Sequence, residues 1–417
     1  MSEITTYEKT KDSGIEWIGR VPSHWRVHTL YQLVTQVKEK NSNLQEKNLL
    51  SLSYGKIKRK DIDSPDGLLP ASFDGYNIIE DGDIVLRLTD LQNDHTSHRV
   101  GLATERGIIT SAYTTLRPID TSNSKYLYYL LHAFDLKKGF YGMGSGVRQG
   151  LNYAEVKELR VVLPGQDEQN AIVRFLDNQC GQIDSIIEEA KSSIEEYKKW
   201  RASIIFGAVT KGLNPLAEMK DSHIDWIGLV PSHWKLSRIK NELDNLDYLR
   251  EPISAEKREN ILGLYDYYGA SGVIDKIDDY NVDDKVLLIG EDGANLRMRN
   301  LPLVYKAEGK FWVNNHAHIL KVHDDNCYGF IAYLLEAGDY SVFITGSAQP
   351  KLSQFNLMRF PIVIPPLVEQ QKIEAYLDEK CSAIDALIRE KKSLLSELEI
   401  YKRSLILETV TGKRKVV

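Results

Sequence analysis

Two glycine-bearing stretches hold residue types suited to a phosphate or a base edge: GFYGMGSGVRQGL at Gly139–Leu151 and TGSAQPKL at Thr345–Leu352. Backbone amides in a turn, with Arg148 and Gln149 in the first stretch and Gln349 and Lys351 in the second, can hydrogen-bond to phosphate oxygens or to bases. An ordinary turn uses the same residues equally well. A Walker loop would end in Gly-Lys-Ser/Thr, and a dinucleotide fingerprint would follow a strand and open a helix. Neither context is present, since a helical run precedes the first stretch and VRQG follows its Gly-Ser turn.

NNHAHIL, from Asn314, sets His316 and His318 two positions apart on the face of an expected strand, a spacing that metal ligands can use. No cysteine cluster or recognisably spaced third ligand completes such a site, so no metal is expected and Asn314, Asn315 and His316 are read as hydrogen-bonding groups at a strand end. Basic residues are clustered: Lys56, Lys58, Arg59 and Lys60 in GKIKRK, Arg87 and Arg99 further along, and Arg297 and Arg299 in LRMRN. Each is a candidate DNA contact, because lysine and arginine meet phosphates and arginine can also read guanine. Singly, each is also an ordinary solvated charge. The formal net charge of -6 excludes a uniformly basic coat but leaves room for a local positive face.

Signs of catalysis are missing. An adenine methyltransferase would carry an Asn/Asp-Pro-Pro-aromatic motif, whereas the Pro-Pro in IPPLVEQ leads into a helix. Acidic residues such as Asp66, Asp83 and Asp284 form no compact nuclease pattern. No catalytic and no cofactor-binding residue is assigned, and the chain reads as one that binds.

The elements that must position these residues are written twice. DSGIEWIGRVPSHW at Asp12–Trp25 returns as DSHIDWIGLVPSHW at Asp221–Trp234, a displacement of 209. VVLPGQDEQNAIVRFLDNQCGQIDSII from Val161 returns as IVIPPLVEQQKIEAYLDEKCSAIDALI from Ile362, a displacement of 201. One unit of about 200 residues is therefore used twice. Between these marks the copies diverge, as a constant frame around two different readers would.

Strand-like runs at Gly82–Leu88, Gly107–Pro118, Glu158–Pro164, Lys285–Gly290, Phe311–Val322 and Met358–Pro365 accompany helices at Ser124–Phe134 and Cys327–Gly338. Without regular βαβ alternation, the class is α+β. Each unit ends in a long helical pattern with an apolar seam recurring every seven residues: Leu176, Cys180, Ile183, Ile187 and Ile194 in the first, and Leu377, Cys381, Ile384, Ile388 and Leu395 in the second. A helix of about 40 residues rises roughly 60 Å, too far for one small domain to cover. The expected partner of each seam is its own copy, packed antiparallel about a pseudo-twofold axis; coiled-coil pairing with other chains is the alternative. Three cysteines, two of them in the seams, read as small buried thiols.

WIGRVPSHW and WIGLVPSHW, with the exits LPGQDEQNAIVRFLD and IPPLVEQQKIEAYLD and the divergent stretches between, make the chain resemble the DNA-specificity subunit of bacterial type I restriction-modification enzymes. The resemblance covers nearly the whole chain. It implies two target-recognition domains, residues 1–165 and 213–365, and two spacer helices, residues 166–212 and 366–417. It also implies double-stranded DNA read as a bipartite target, one half-site per domain, with helix length setting the gap. Two methyltransferase subunits and two motor-nuclease restriction subunits would dock, using S-adenosylmethionine, ATP and Mg2+, with no cofactor in this chain. The rival reading is a protein-binding scaffold without base readout. The polar start MSEITTYEKTKDSG and the lack of an apolar run of about 20 residues predict a cytoplasmic protein off the membrane.

Overall fold

The computed structural model describes residues 5–63, 70, 72–91, 98–143, 150–259 and 263–416. The chain divides into two units: Met1–Ala190 with Lys392–Val417, and Lys191–Lys391. Both contain helices and largely antiparallel sheets, the α+β class.

A common frame recurs in the two units. In unit 1 the opening motif forms an antiparallel ribbon of Thr10–Asp12 with Arg20–Pro22, and Arg26–Thr29 pairs with Arg160–Leu163. In unit 2 the ribbon is Met219–Asp221 with Leu229–Pro231, and Lys235–Arg238 pairs with Pro361–Ile364. Each frame buries the last tryptophan of its motif, Trp25 or Trp234. That burial explains why the motif keeps its last tryptophan in both copies.

Inside the frames the sheets differ. Unit 1 has two four-stranded sheets, one ordered Lys56–Lys60, Leu49–Ser53, Gly107–Ile109, Asn77–Ile79 and the other Val34–Gln36, Thr114–Pro118, Ile84–Leu86, Val100–Leu102. Unit 2 has one six-stranded sheet, ordered Leu243–Asn245, Ala317–Val322, Val282–Gly290, Val304–Val313, Tyr265–Gly269, Gly272–Ile277. Two expected strands prove to be pairs. Gly107–Pro118 breaks at Thr110, whose carbonyl and hydroxyl accept from the Tyr113 and Ala112 amides. Phe311–Val322 breaks at Asn314, whose side chain accepts from the His316 amide. Such side-chain to backbone bonds compete with the ladder and turn the chain.

The long helices run Gln166–Lys211 and Leu367–Val410. Acidic first turns, with Asp167 and Glu168 in one and Glu369 in the other, suit the positive helix start. Gly212 (φ 71°) and Gly412 (φ 69°) follow their ends in the left-handed conformation that favours glycine. Each helix contributes to both units. In unit 1, Leu176, Cys180, Ile183 and Ile187 share a core with Leu405, Ile406 and Val410, and Leu395 packs against it half-buried. There Tyr126 Oη donates to the carbonyls of Val162 and Val410, so the end of the second helix lies by the start of the first; Lys402 meets Asp184 further along, and the two segments run antiparallel. In unit 2, Leu377 and Cys381 share a core with Ile205, Ala208 and Val209, while Ile194, Ile384 and Ile388 are also buried. Cys180, Cys327 and Cys381 are free, buried thiols.

Candidate nucleic-acid interface

In unit 1 the strand Lys56–Lys60 is a sheet edge, paired with Leu49–Ser53. Alternation sends Lys56, Lys58 and Lys60 to one face and Ile57 and Arg59 to the other. The three lysines are exposed and make no ion pair among the described residues. Arg59 is committed elsewhere: its Nε donates to both Glu105 oxygens at 2.8 Å, a contact that raises the arginine's pKa and depresses the carboxyl's.

Arg99 does not fit the role of a DNA contact. It is 0% exposed, its guanidinium donates to the carbonyls of Arg87, Thr89 and Asp90 at 2.8–3.1 Å and to Tyr141 Oη at 2.9 Å, and it lies over the Tyr141 ring. A buried arginine with this set of acceptors closes the loop after strand Ile84–Leu86 and cannot reach a phosphate. Arg87 is half-buried, its amide bonded to the Arg99 carbonyl. Arg148 and Gln149 lie outside the described residues.

Unit 2 brings several candidates together around two adjacent carboxylates. His316 Nδ1 meets Asp292 Oδ2 at 2.7 Å, and Lys351 Nζ meets Glu291 Oε1 at 3.0 Å. Residues 345 and 351 bridge, as do 292 and 351, while Arg297 Nη2 donates to the Gly346 carbonyl at 3.2 Å. His316, Arg297, Gln349 and Lys351 are all exposed on this surface, and Asn315 is exposed on the same turn as His316. Asn314 is buried and acts inside the turn. Arg299 is drawn off to the helix Tyr328–Ala337, where it bonds the Glu336 carbonyl and lies 3.9 Å from its carboxylate.

The expectation that His316 and His318 share a strand face is corrected here: His316 sits in the turn and is exposed, whereas His318 is fully buried. His318 Nδ1 faces Asp247 Oδ2 at 2.6 Å and Nε2 faces the Leu352 carbonyl at 2.8 Å. Both neighbours can accept from a ring N–H. Arg250 joins this buried system, bonding Glu291 and lying 3.3 Å from Asp247. Burial alone would raise the Asp247 and Glu291 carboxyls. His318, the Ile319 amide and Arg250 instead hold Asp247 below its ordinary value, and Arg250, Lys351 and His318 do the same for Glu291. The exposed cluster thus stands on a buried charged base.

Sequence reasoning missed that base, because Asp247, Arg250, Glu291 and Asp292 have no motif spacing. It also missed a contact present in both copies: His24 Nε2 lies 2.8 Å from Glu168 Oε2, and His233 Nε2 lies 2.8 Å from Glu369 Oε2. The repeat itself carried that signal, since both motifs keep PSHW and both exits keep Glu-Gln.

One frame thus occurs in two copies around dissimilar interiors, each copy closed by parts of both long helices. Residues 231–397 match the family model described as type I restriction modification DNA specificity domain. A Haemophilus influenzae protein named as a type I restriction enzyme specificity subunit is 32% identical over 146 residues, 35% of this chain and 36% of that protein. The Methanocaldococcus jannaschii protein named as the MjaX specificity subunit is 30% identical over 119 residues, 28% of this chain and 26% of that protein. The chain thus aligns with about a third or less of the length of these relatives. A solved structure described as the basis of complex assembly and conformational transition of the type I R-M system matches the fold with a TM-score of 0.69 at 14% identity, covering 94% of this chain and 98% of that one. Residues 231–397 thus match a type I restriction modification DNA specificity domain, and parts of the chain are similar to proteins named as specificity subunits. Among the described residues no helix is long and apolar enough to cross a membrane.

Proposed function

We propose that the chain selects the DNA sequence on which a type I restriction-modification enzyme acts, with no catalysis of its own. Residues 1–165 and 213–365 are the two target-recognition domains, each reading one half of a bipartite site in double-stranded DNA. Residues 166–212 and 366–417 are the spacer segments on which two methyltransferase subunits dock, with two motor-nuclease subunits completing the restriction enzyme. S-adenosylmethionine, ATP and Mg2+ serve those partners.

The observation that carries this reading is the specificity-domain match over 231–397, together with the recurrence in unit 1 of the frame that this region uses in unit 2. Exposed Lys56, Lys58 and Lys60 in unit 1, and Arg297, Asn315, His316, Gln349 and Lys351 in unit 2, are the groups that meet DNA, with Arg148 and Gln149 retained on sequence grounds. Lysines on an edge strand suit phosphates, and the mixed polar cluster suits base edges.

The test is methylation mapping of the chain assembled with its methyltransferase partner, before and after residues 224–365 are replaced by the equivalent region of a relative. One half of the methylated sequence should change while the other persists. A change in both halves, or in neither, overturns the assignment of one half-site to each domain.

A further inference from the structure

A second group of donors lies in unit 1, apart from the exposed lysines. The helix Ser124–Leu136 carries His132 and Asp135 one turn apart, and His98 approaches from the segment leading into Val100–Leu102. One donor atom from each of the three residues lies within 4.8 Å of the others. The two imidazole centroids are 5.4 Å apart, and the His132 ring stacks on Tyr128. Asp135 is buried, and its Oδ2 accepts from the Arg99 amide at 2.7 Å, which fixes the carboxylate's orientation. His132 Nδ1 is buried with no hydrogen-bond partner among the described residues. A buried polar atom stripped of water and left unmatched calls for an explanation, and an unseen ion is one.

We propose that His98, His132 and Asp135 bind one divalent transition-metal ion of the zinc class, through two imidazole nitrogens and one carboxylate oxygen, with solvent completing the shell.

Three features favour that class. Tetrahedral coordination at about 2.0–2.1 Å sets donors about 3.4 Å from one another, and the three donor atoms here lie within 4.8 Å of one another. His132 Nδ1, buried and without a hydrogen-bond partner among the described residues, is a nitrogen left over for a metal. Mg2+ and Ca2+ need several anionic or carbonyl oxygens, whereas two imidazole nitrogens with a single carboxylate suit zinc. The bound ion would clasp the start of strand Val100–Leu102 to the helix and take no part in chemistry on DNA.

The full chain, stripped with EDTA and exchanged into chelator-free buffer, is titrated with Zn2+ and separately with Mg2+ by calorimetry, and with Co2+ followed by its visible absorption. One Zn2+ per chain, a Co2+ band and no Mg2+ uptake are expected. His98→Gln and His132→Gln should each weaken Zn2+ by more than about 10-fold, a loss typical even of an outer-shell partner, and abolish the Co2+ band. His323→Gln, at the exposed His323–Asp244 contact, should leave both unchanged. Should His132→Gln fail to fold, the more peripheral His98→Gln decides. No Zn2+ uptake, or uptake indifferent to the folded ligand variants, overturns the site.

Discussion

Lys402 Nζ lies 2.6 Å from Asp184 Oδ1 in unit 1, and in unit 2 Arg201 Nε lies 3.2 Å from Asp385 Oδ1. Asp184 and Asp385 are equivalent under the displacement of 201, and so are Arg201 and Lys402. The same ion pair is therefore made twice, each time between one long helix and the other.

These pairs are partly exposed, with side chains 26–41% accessible, so each should contribute modestly, about 0.2–1 kcal/mol. A double-mutant cycle on Asp184→Ala and Lys402→Ala, read by urea unfolding, should give coupling in that range, and Arg201→Ala with Asp385→Ala should give a similar value. Coupling of several kcal/mol in either pair would contradict this.

The apolar seam carries more. Ile187 and Ile388 are buried in their respective units, and aspartate at each would place a charge in a packed layer. We expect Ile187→Asp with Ile388→Asp to cost several kcal/mol, roughly 3–5. A large fall in melting temperature and a rise in hydrodynamic radius should appear; unchanged melting and dimensions refute it.

Arg99 and Lys58 should separate by phenotype. Arg99→Ala leaves buried carbonyls without their donor and should destabilise the chain by about 1–3 kcal/mol for each carbonyl left unpaired. Lys58→Ala should alter melting by less than about 0.5 kcal/mol while lowering the salt slope of DNA binding by about one unit. Paired melts and binding isotherms at several salt concentrations check both, and a stable Arg99→Ala chain with weakened DNA binding would reverse the assignment.

Acid should loosen unit 2 through its buried carboxylates. Asp247 and Glu291 titrate lower when folded than when unfolded, so their contribution is fully present above the ordinary carboxylate range and is lost as pH falls through the depressed values. Glu291→Gln should flatten that decline between neutral pH and pH 3. Identical pH dependence in parent and variant, measured by urea unfolding, would rule the contribution out.

The doubled motifs and heptad seams made the frame legible, because a buried tryptophan, a helix-start glutamate and an apolar row each leave a positional signature. The interiors were less legible. Thr110 and Asn314 break strands through local hydrogen bonds that hydrophobic alternation does not record. For the candidate site, residue type alone could not separate Arg99, enclosed by carbonyls, from Lys58, open to solvent. His316 and His318, two positions apart, part company because a turn intervenes, and the carboxylates that hold them come from residues 247 and 292.

Leu405, Ile406 and Val410 complete the core of unit 1, and Gly412 lies against Pro22 and Trp25. During synthesis these residues are made only after the whole of 191–391, an interval of roughly 10 to 40 s at ordinary translation rates. Unit 2 begins later on the ribosome yet is fully translated first, at Lys391. Until residues 392–417 emerge, the nascent first half presents an unfinished apolar face around Leu176 and Ile187. The order of birth is thus inverted relative to the order of completion, and the earliest-made residues spend the longest exposed to chaperones and to mispairing.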